Sequence, residues 1–350
     1  MQDIQIGDIE ATRPSAWAVR GVVGGVSILW GPYGSYKTFM AIGISVAVAA
    51  GKPWFGCSTR QGPVLYILGE GGLELFRRRA GECARDMGID LHGLPLWVRG
   101  EALDLSSPWK LTPYLERWDQ ISPVMFVVDT VSRCLPGDEN KQEVMQGFVG
   151  CLDLLRERYN ASVLALHHAG KDQTIRGSSV LPGAADVSIR IWKSREGGTK
   201  KLHLEPVKLR DLDVDNFDNT VLLPDVVDVR TSNGRMILDE YGDKVTTLVL
   251  RQDPEVGDNA AKAIAQFATL QNQNPDRWVG FKEWAMAMPN AGVPLNKFKR
   301  ALSEILLHPD SYGIVSPERG QYCYARDYAF DANPFESFST PGINYGDEEE

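Results

Sequence analysis

The sequence predicts an α/β architecture: a mainly parallel sheet covered by helices on both faces, extended by antiparallel strands and followed by a small second domain. Three observations predict it. Apolar runs and helical patterns alternate from about residue 26 to 168, and alternation of that kind builds a parallel sheet with both faces buried. From Asp186 to Leu250 several strand-like segments follow one another, the pattern of an antiparallel extension. After a break, three helical segments precede two short strand segments, which is the order of a winged helix.

Taken in order, Val26–Trp30 reads as a buried strand and Lys37–Ala50 as a helix stopped by Gly51. Val64–Leu68 is the second strand and Leu73–Met87 the second helix. Val124–Val128 is the third strand, Gln142–Tyr159 a helix, and Ser162–Leu166 the fourth strand. The segments VSIRIW, KLHLEPVKL, TVLLPDVVDV and TTLVL supply the extension, closing a first domain over 1–252. DPEVGDN (253–259) reads as a linker. The second domain, 260–328, holds helices at Ala260–Gln271, Phe281–Met288 and Leu295–Leu307, with strands at Gly313–Val315 and Tyr322–Tyr324 around the turn PERGQ. Residues 329–350 are acidic and rich in Pro, Ser and Gly, a composition expected to be disordered.

Composition narrows the function classes. The 350 residues are 43% hydrophobic and 24% charged, as in ordinary globular proteins. No apolar run approaches the length of a membrane span, and the first ten residues lack the basic-then-apolar order of a signal peptide. Five scattered cysteines without a C-x-x-C pair argue against a zinc site or a disulfide framework and fit a reducing cytoplasm, such as that of a bacterial host. The net charge is −9, but Asp331, Glu336, Asp347, Glu348, Glu349 and Glu350 carry six of those charges. The rest of the chain is near neutral, so a locally basic channel for nucleic acid is compatible with the total.

The chemistry centres on Gly31, Pro32, Tyr33, Gly34, Ser35, Tyr36, Lys37 and Thr38, between a strand and a helix. A phosphate-binding loop sits there because loop N–H groups and the helix N-terminus point at the anion. Lys37 is expected to bridge the β- and γ-phosphates of ATP, and the Thr38 hydroxyl to bind Mg2+. Tyr36 stands where the usual pattern has Gly, a change expected to be tolerated if its backbone is already helical and its ring points outward. Asp129, ending the strand VMFVVD, is the expected second Mg2+ group. Glu70, after VLYILG, is the expected base that orients the attacking water. His167 and His168 end the strand SVLALHH and are placed to sense the γ-phosphate.

The strings VVDTVSRCLPGDEN, ASVLALHHAGKD and IRGSSVLPGAADVSIRI, with the upstream GGVSILWGPYGSYKTFMAIGISVAVAAGKPWFG and GPVLYILGEGG, resemble the plasmid and phage RepA-type hexameric replicative helicases, over roughly residues 17 to 250. The resemblance implies a RecA-like P-loop ATPase core, a homo-oligomer in the form of a ring or a filament, and action on single-stranded DNA. It implies catalytic roles for Lys37, Glu70, Asp129, His167 and His168, and a DNA-facing loop containing Arg176, Ser178 and Ser179. Lys208 and Arg210 resemble the Lys-x-Arg pair that reaches into a neighbouring subunit's site. Asp186 stands where that family carries a further arginine, which moves the finger role to Lys208 and Arg210 or to Arg190.

In the second domain Lys297, Lys299 and Arg300 lie near the N-terminal end of the last helix, where a recognition helix meets phosphates. Winged helices also bind proteins, and the acidic tail could dock on a replication or recombination partner. Three functions follow: a DNA-stimulated motor, an ATP-dependent recombination or annealing mediator that does not unwind, and an ATP-gated regulatory DNA-binding protein.

Overall fold

The computed structural model describes residues 17–170, 174–196, 198–210, 220–252, 257–273, 277–307, 314–318 and 321–324. The acidic tail and the side chain of Arg300 lie outside the described residues. The chain divides into two compact units, Met1–Asp253 and Pro254–Glu350.

The first unit opens with a small hairpin, β1 (Trp17–Val19) against β2 (Val23–Gly24). The main sheet then builds from β3 (Val26–Gly31), followed by α1 (Lys37–Ala50), β4 (Val64–Leu68), α2 (Gly72–Asp86) and β5 (Leu96–Arg99). Next come α3 (Thr112–Ile121), β6 (Met125–Asp129), the single turn α4 (Val131–Cys134), α5 (Gln142–Tyr159) and β7 (Ser162–His168). The short α6 (Val180–Ala184) leads into β8 (Val187–Glu196), β9 (Thr199–Leu209), β10 (Thr220–Asp228) and β11 (Thr246–Gln252).

These strands form one nine-stranded sheet in the order β11-β10-β9-β8-β3-β7-β6-β4-β5. From β8 to β5 every pairing is parallel, and β9, β10 and β11 are antiparallel. The expected mainly parallel sheet with an antiparallel extension is therefore the one present. β3, β4, β6 and β7 are buried along their whole length, which is why they read as continuous apolar runs rather than alternations. Alternate side chains feed two cores: Leu29, Val64, Tyr66 and Val127 pack with α1 and α2, while Ile28, Leu65, Phe126 and Val128 pack with α5. α1 is apolar on nearly all sides because it is buried beneath the sheet. Gly51 ends it in the left-handed conformation, its N–H returning to the Ala47 and Val48 carbonyls.

The β1–β2 hairpin, β5, α3, the short α4 and α6, and the two-residue strand Val279–Gly280 of the second unit have no counterpart in the sequence reading. β5 is a four-residue edge strand with a half-exposed Trp97, and α3 is short with a single buried residue, Trp118. Neither β5 nor α3 carries enough apolar period to stand out. β7 runs through both histidines to His168, as the string SVLALHH reads.

The second unit contains α7 (Gly257–Gln273), β12 (Val279–Gly280), α8 (Phe281–Ala287), α9 (Leu295–Leu307), β13 (Ile314–Glu318) and β14 (Gln321–Tyr324), with strand order β12-β14-β13. Phe267, Trp284, Phe298 and Ile305 fill its core, and the Trp284 indole donates to the Ala263 carbonyl at 2.9 Å. Residues 257–259, expected to be linker, are the first residues of α7: Gly257 and Asp258 are poor helix formers but start the helix rather than interrupt it.

Candidate nucleotide site

The parallel register brings the carboxyl ends of four strands onto one line. Gly31 pairs with His168, Asp129 with Leu166, and Leu68 with Asp129. The loop after β3, the acid at the end of β6, the glutamate after β4 and the histidines of β7 therefore share one edge, where open α/β sheets bind ligands.

Lys37 is 6% exposed and curls back into its own loop. Its ammonium donates to the Gly31 and Pro32 carbonyls at 2.9 Å each and to Ser35 Oγ at 3.4 Å. Burial lowers its pKa to about 8, against the opposing pull of the Asp129 and Glu70 carboxylates. Gly34 and Tyr36 both have positive φ, 66° and 63°. The expectation that Tyr36 is already helical is wrong: it is left-handed, a conformation that costs a non-glycine residue roughly 1–2 kcal/mol. The loop needs that backbone shape there, which is why Gly is usual. The Tyr36 ring is half-buried against the α1 core, edge-on to Phe39 at 6.1 Å.

Asp129 is 1% exposed. Its carboxylate accepts from Tyr66 Oη at 2.7 Å and from Thr38 Oγ1 at 3.4 Å. Burial raises its pKa, while the Tyr66 and Thr38 hydrogen bonds oppose the rise. Burial, with Asp129 beside it, keeps the Tyr66 phenol protonated, so Tyr66 acts as donor. Thr38 and Asp129 present adjacent hard oxygens, a donor set suited to Mg2+. A buried carboxylate with raised pKa beside a hydroxyl is the kind of site a divalent cation would satisfy electrostatically.

Glu70 follows β4, and its carboxylate accepts from Arg133 Nε at 3.1 Å and Thr130 Oγ1 at 3.3 Å. The Asp129–Thr130 peptide is cis. Arg79, from α2, lies over the Phe39 ring at 4.5 Å, within the field of Asp129 and Tyr66. Sequence reasoning missed Tyr66, Arg79 and Arg133. Tyr66 reads as one more apolar residue of a strand, and the two arginines read as solvated helix charge.

His168 is 6% exposed, stacks on Tyr33 of the loop at 3.9 Å between ring centroids, and among the described residues has no hydrogen-bond partner on either ring nitrogen. Burial, with Lys37 nearby, depresses its pKa to about 4, so the ring is neutral. His167 is also kept neutral by burial, and its Nε2 donates to the Arg176 carbonyl at 2.8 Å. The Arg176 N–H donates to the His168 carbonyl at 3.2 Å, which ties the Arg176 segment to the strand end. The Arg176 guanidinium is ion-paired with Glu139, whose carbonyl accepts the Ser178 N–H at 3.0 Å. Ser179 precedes α6.

Lys208 and Arg210 are not part of this edge. In the sheet register Lys208 lies opposite Ser188, near the start of β8 and so at the amino end of the parallel strands. The Lys208 ammonium donates to the Pro182 and Gly183 carbonyls at 3.3 and 3.1 Å, and Arg210 pairs with Asp186 at 2.7 Å. Arg190 pairs with Glu205 at 3.5 Å. Lys297 and Lys299 lie on α9 of the second unit.

Residues 1–174 match the model of a family described as AAA domain. The matched span includes the loop, Glu70, Asp129 and both histidines. No curated protein matches the chain. Together, the match and the converging site support a P-loop, nucleotide-hydrolysing ATPase. No helix among the described residues is long and apolar enough to cross a membrane.

Proposed function

We propose that this chain is an ATP-hydrolysing RecA-like motor acting on single-stranded DNA, a replicative helicase or DNA-dependent ATPase of phage or plasmid type. The observation that carries the ATPase part is the convergence of Lys37, Thr38, Asp129 and Glu70 at one edge of the sheet. The loop N–H groups and Lys37 hold the triphosphate, and Thr38 and Asp129 are the residues that would hold Mg2+. When bound, Mg2+ supplies positive charge against the phosphate oxygens. Glu70 orients a water in line with the terminal phosphorus, and releasing it from Arg133 frees the carboxylate to accept the proton. His168, neutral and without a hydrogen-bond partner among the described residues, is poised to donate to a phosphate oxygen.

The DNA part rests on the resemblance to the plasmid helicases and on the position of Arg176. The segment holding Arg176, Ser178 and Ser179 is hydrogen-bonded to the histidine strand, so a change at the phosphates has a short path to it. DNA contact by Arg176 requires exchange of its partner Glu139 for a backbone phosphate. In the homo-oligomer we propose, a ring or a filament, the neighbour's Lys208 or Arg210 would reach the site only after leaving its carbonyl or Asp186 partners. An arginine supplied in trans is worth about 10³–10⁵ in rate in other NTPases. The second unit, with three helices and a three-stranded sheet, supports a winged-helix reading in which Lys297, Lys299 and Arg300 contact phosphate.

ATP turnover measured with and without single-stranded DNA tests the proposal. Stimulation by single strands is expected, and turnover indifferent to any DNA or RNA overturns the motor. A strand-displacement assay then separates unwinding from annealing without unwinding.

A further inference from the structure

The phosphate-loop pattern contains one lysine, but the fold brings a second to the same loop. β8 runs parallel beside β3 and passes so close that a Cβ on Gly31 would stand 2.2 Å from the Ile191 carbonyl oxygen. Lys193 is two residues further on the same strand, so it projects to the same face as Ile191, the face that packs with α1. Its Nζ stands 5.5 Å from the centroid of the Tyr36 ring, and a Cβ on Gly34 would lie 3.8 Å from it. The ammonium therefore sits over the loop backbone between residues 34 and 36.

What holds it there is a weak contact. Among the described residues Lys193 makes no ion pair with a carboxylate, and it is exposed. A solvent-exposed cation resting on the face of a half-buried ring is held less strongly than one donating charge-assisted hydrogen bonds to phosphate. The ring it rests on belongs to Tyr36, the residue that replaces glycine immediately before Lys37 and accepts a left-handed backbone to do so. Tyr36 and Lys193 thus form one arrangement: the tyrosine ring lies under an exposed cation beside the phosphate loop.

We infer that Lys193 is a second phosphate-binding lysine of this site, moving from the Tyr36 ring onto the phosphates of a bound nucleoside di- or triphosphate. The inference rests on the reading of Gly31–Thr38 as a nucleotide loop. It assigns Lys193 to binding rather than to hydrolysis, so its effect belongs in affinity.

Calorimetric titration of the full chain with Mg·ADP tests it. Lys193→Ala and Lys193→Gln are expected to weaken binding about tenfold, the loss of one charge-assisted contact, and Lys193→Arg to stay within about threefold of wild type. Lys193 is exposed, so thermal midpoints of all three should equal that of the wild type, which removes misfolding as a cause. Raising the salt concentration should weaken the wild type more than Lys193→Gln. Binding by both charge-removing variants within twofold of wild type, alongside loss of binding in Lys37→Ala, overturns the assignment and leaves the loop reading intact. A wild-type chain that takes up no Mg·ADP removes the loop reading, and this assignment with it.

Discussion

The two ends of the parallel strands handle charge in opposite ways. At the amino end the charges are satisfied within the chain. Asp186 accepts the Val26 N–H at 2.9 Å, pairs with Arg210 at 2.7 Å and faces Arg156 at 3.5 Å. At the carboxyl end the groups are buried away from an opposite charge in direct contact: burial pulls Lys37 down to about 8 and pushes Asp129 up, and His168 has no hydrogen-bond partner among the described residues. Both ends belong to the same sheet and were built by the same apolar strands. The contrast separates a scaffold, where each charge meets its complement, from a site, where complements are left to be supplied by a ligand.

Removing the groups at the carboxyl end should therefore abolish activity before it affects folding. Lys37→Ala and Asp129→Ala are each expected to lower the ATP hydrolysis rate by about 100-fold or more, measured as phosphate release with Mg·ATP. Loss of the folded state in step with the rate would erase the distinction between the ends.

Acidity offers the next largest effect. The folded-state pKa of His168 is about 4, below its ordinary 6.5, so on acidification the unfolded chain takes the proton first. The contribution of the neutral ring is complete above about pH 6.5 and is lost as pH falls towards 4, on the order of 3 kcal/mol for this group alone. Urea unfolding across that window should show a steeper pH dependence for wild type than for His168→Phe, which keeps a ring against Tyr33 but cannot titrate. Equal slopes would mean that the ring is not held neutral by burial.

At the other end, Asp186→Ala should cost about 2 kcal/mol of stability, because it strands the Val26 N–H and the two arginines. Its affinity for Mg·ADP should remain within twofold of wild type. Weakened nucleotide binding without a drop in stability would show that the amino end is part of the site. The smallest effect concerns the loop backbone. Tyr36→Gly should be more stable than Tyr36→Ala by about 1 kcal/mol in denaturant unfolding, since only the alanine keeps the left-handed strain. The reverse order would remove the strain.

What could be read from sequence was local. The phosphate loop, Asp129 and Glu70 each end or follow a strand whose apolar run is unmistakable, so strings such as VVDT announce both element and site. Residues that join the site through space gave no such signal. Tyr66 lies 63 positions from the carboxylate it bonds, and inside VLYIL it is indistinguishable from core. Lys193 reads as ordinary strand charge until β8 is laid beside β3. Arg176 was legible as a loop arginine, but not as the partner of Glu139, because the pairing depends on how the segment after β7 returns to the strand end. The left-handed state of Tyr36 was hidden for a different reason: backbone conformation there is imposed by the loop, against the preference of the residue.

The contact between Gly31 and the Ile191 carbonyl has a mechanical consequence. No side chain fits at position 31 while β8 keeps its place, so the first residue of the loop and the middle of β8 behave as a single piece. β8 is also one arm of the long β8–β9 hairpin, whose register runs over ten residue pairs with one shift. A lever of that length, bolted at its midpoint to the loop, turns any tilt of the outer strands into a displacement where the phosphates are held, and the same coupling runs in the other direction.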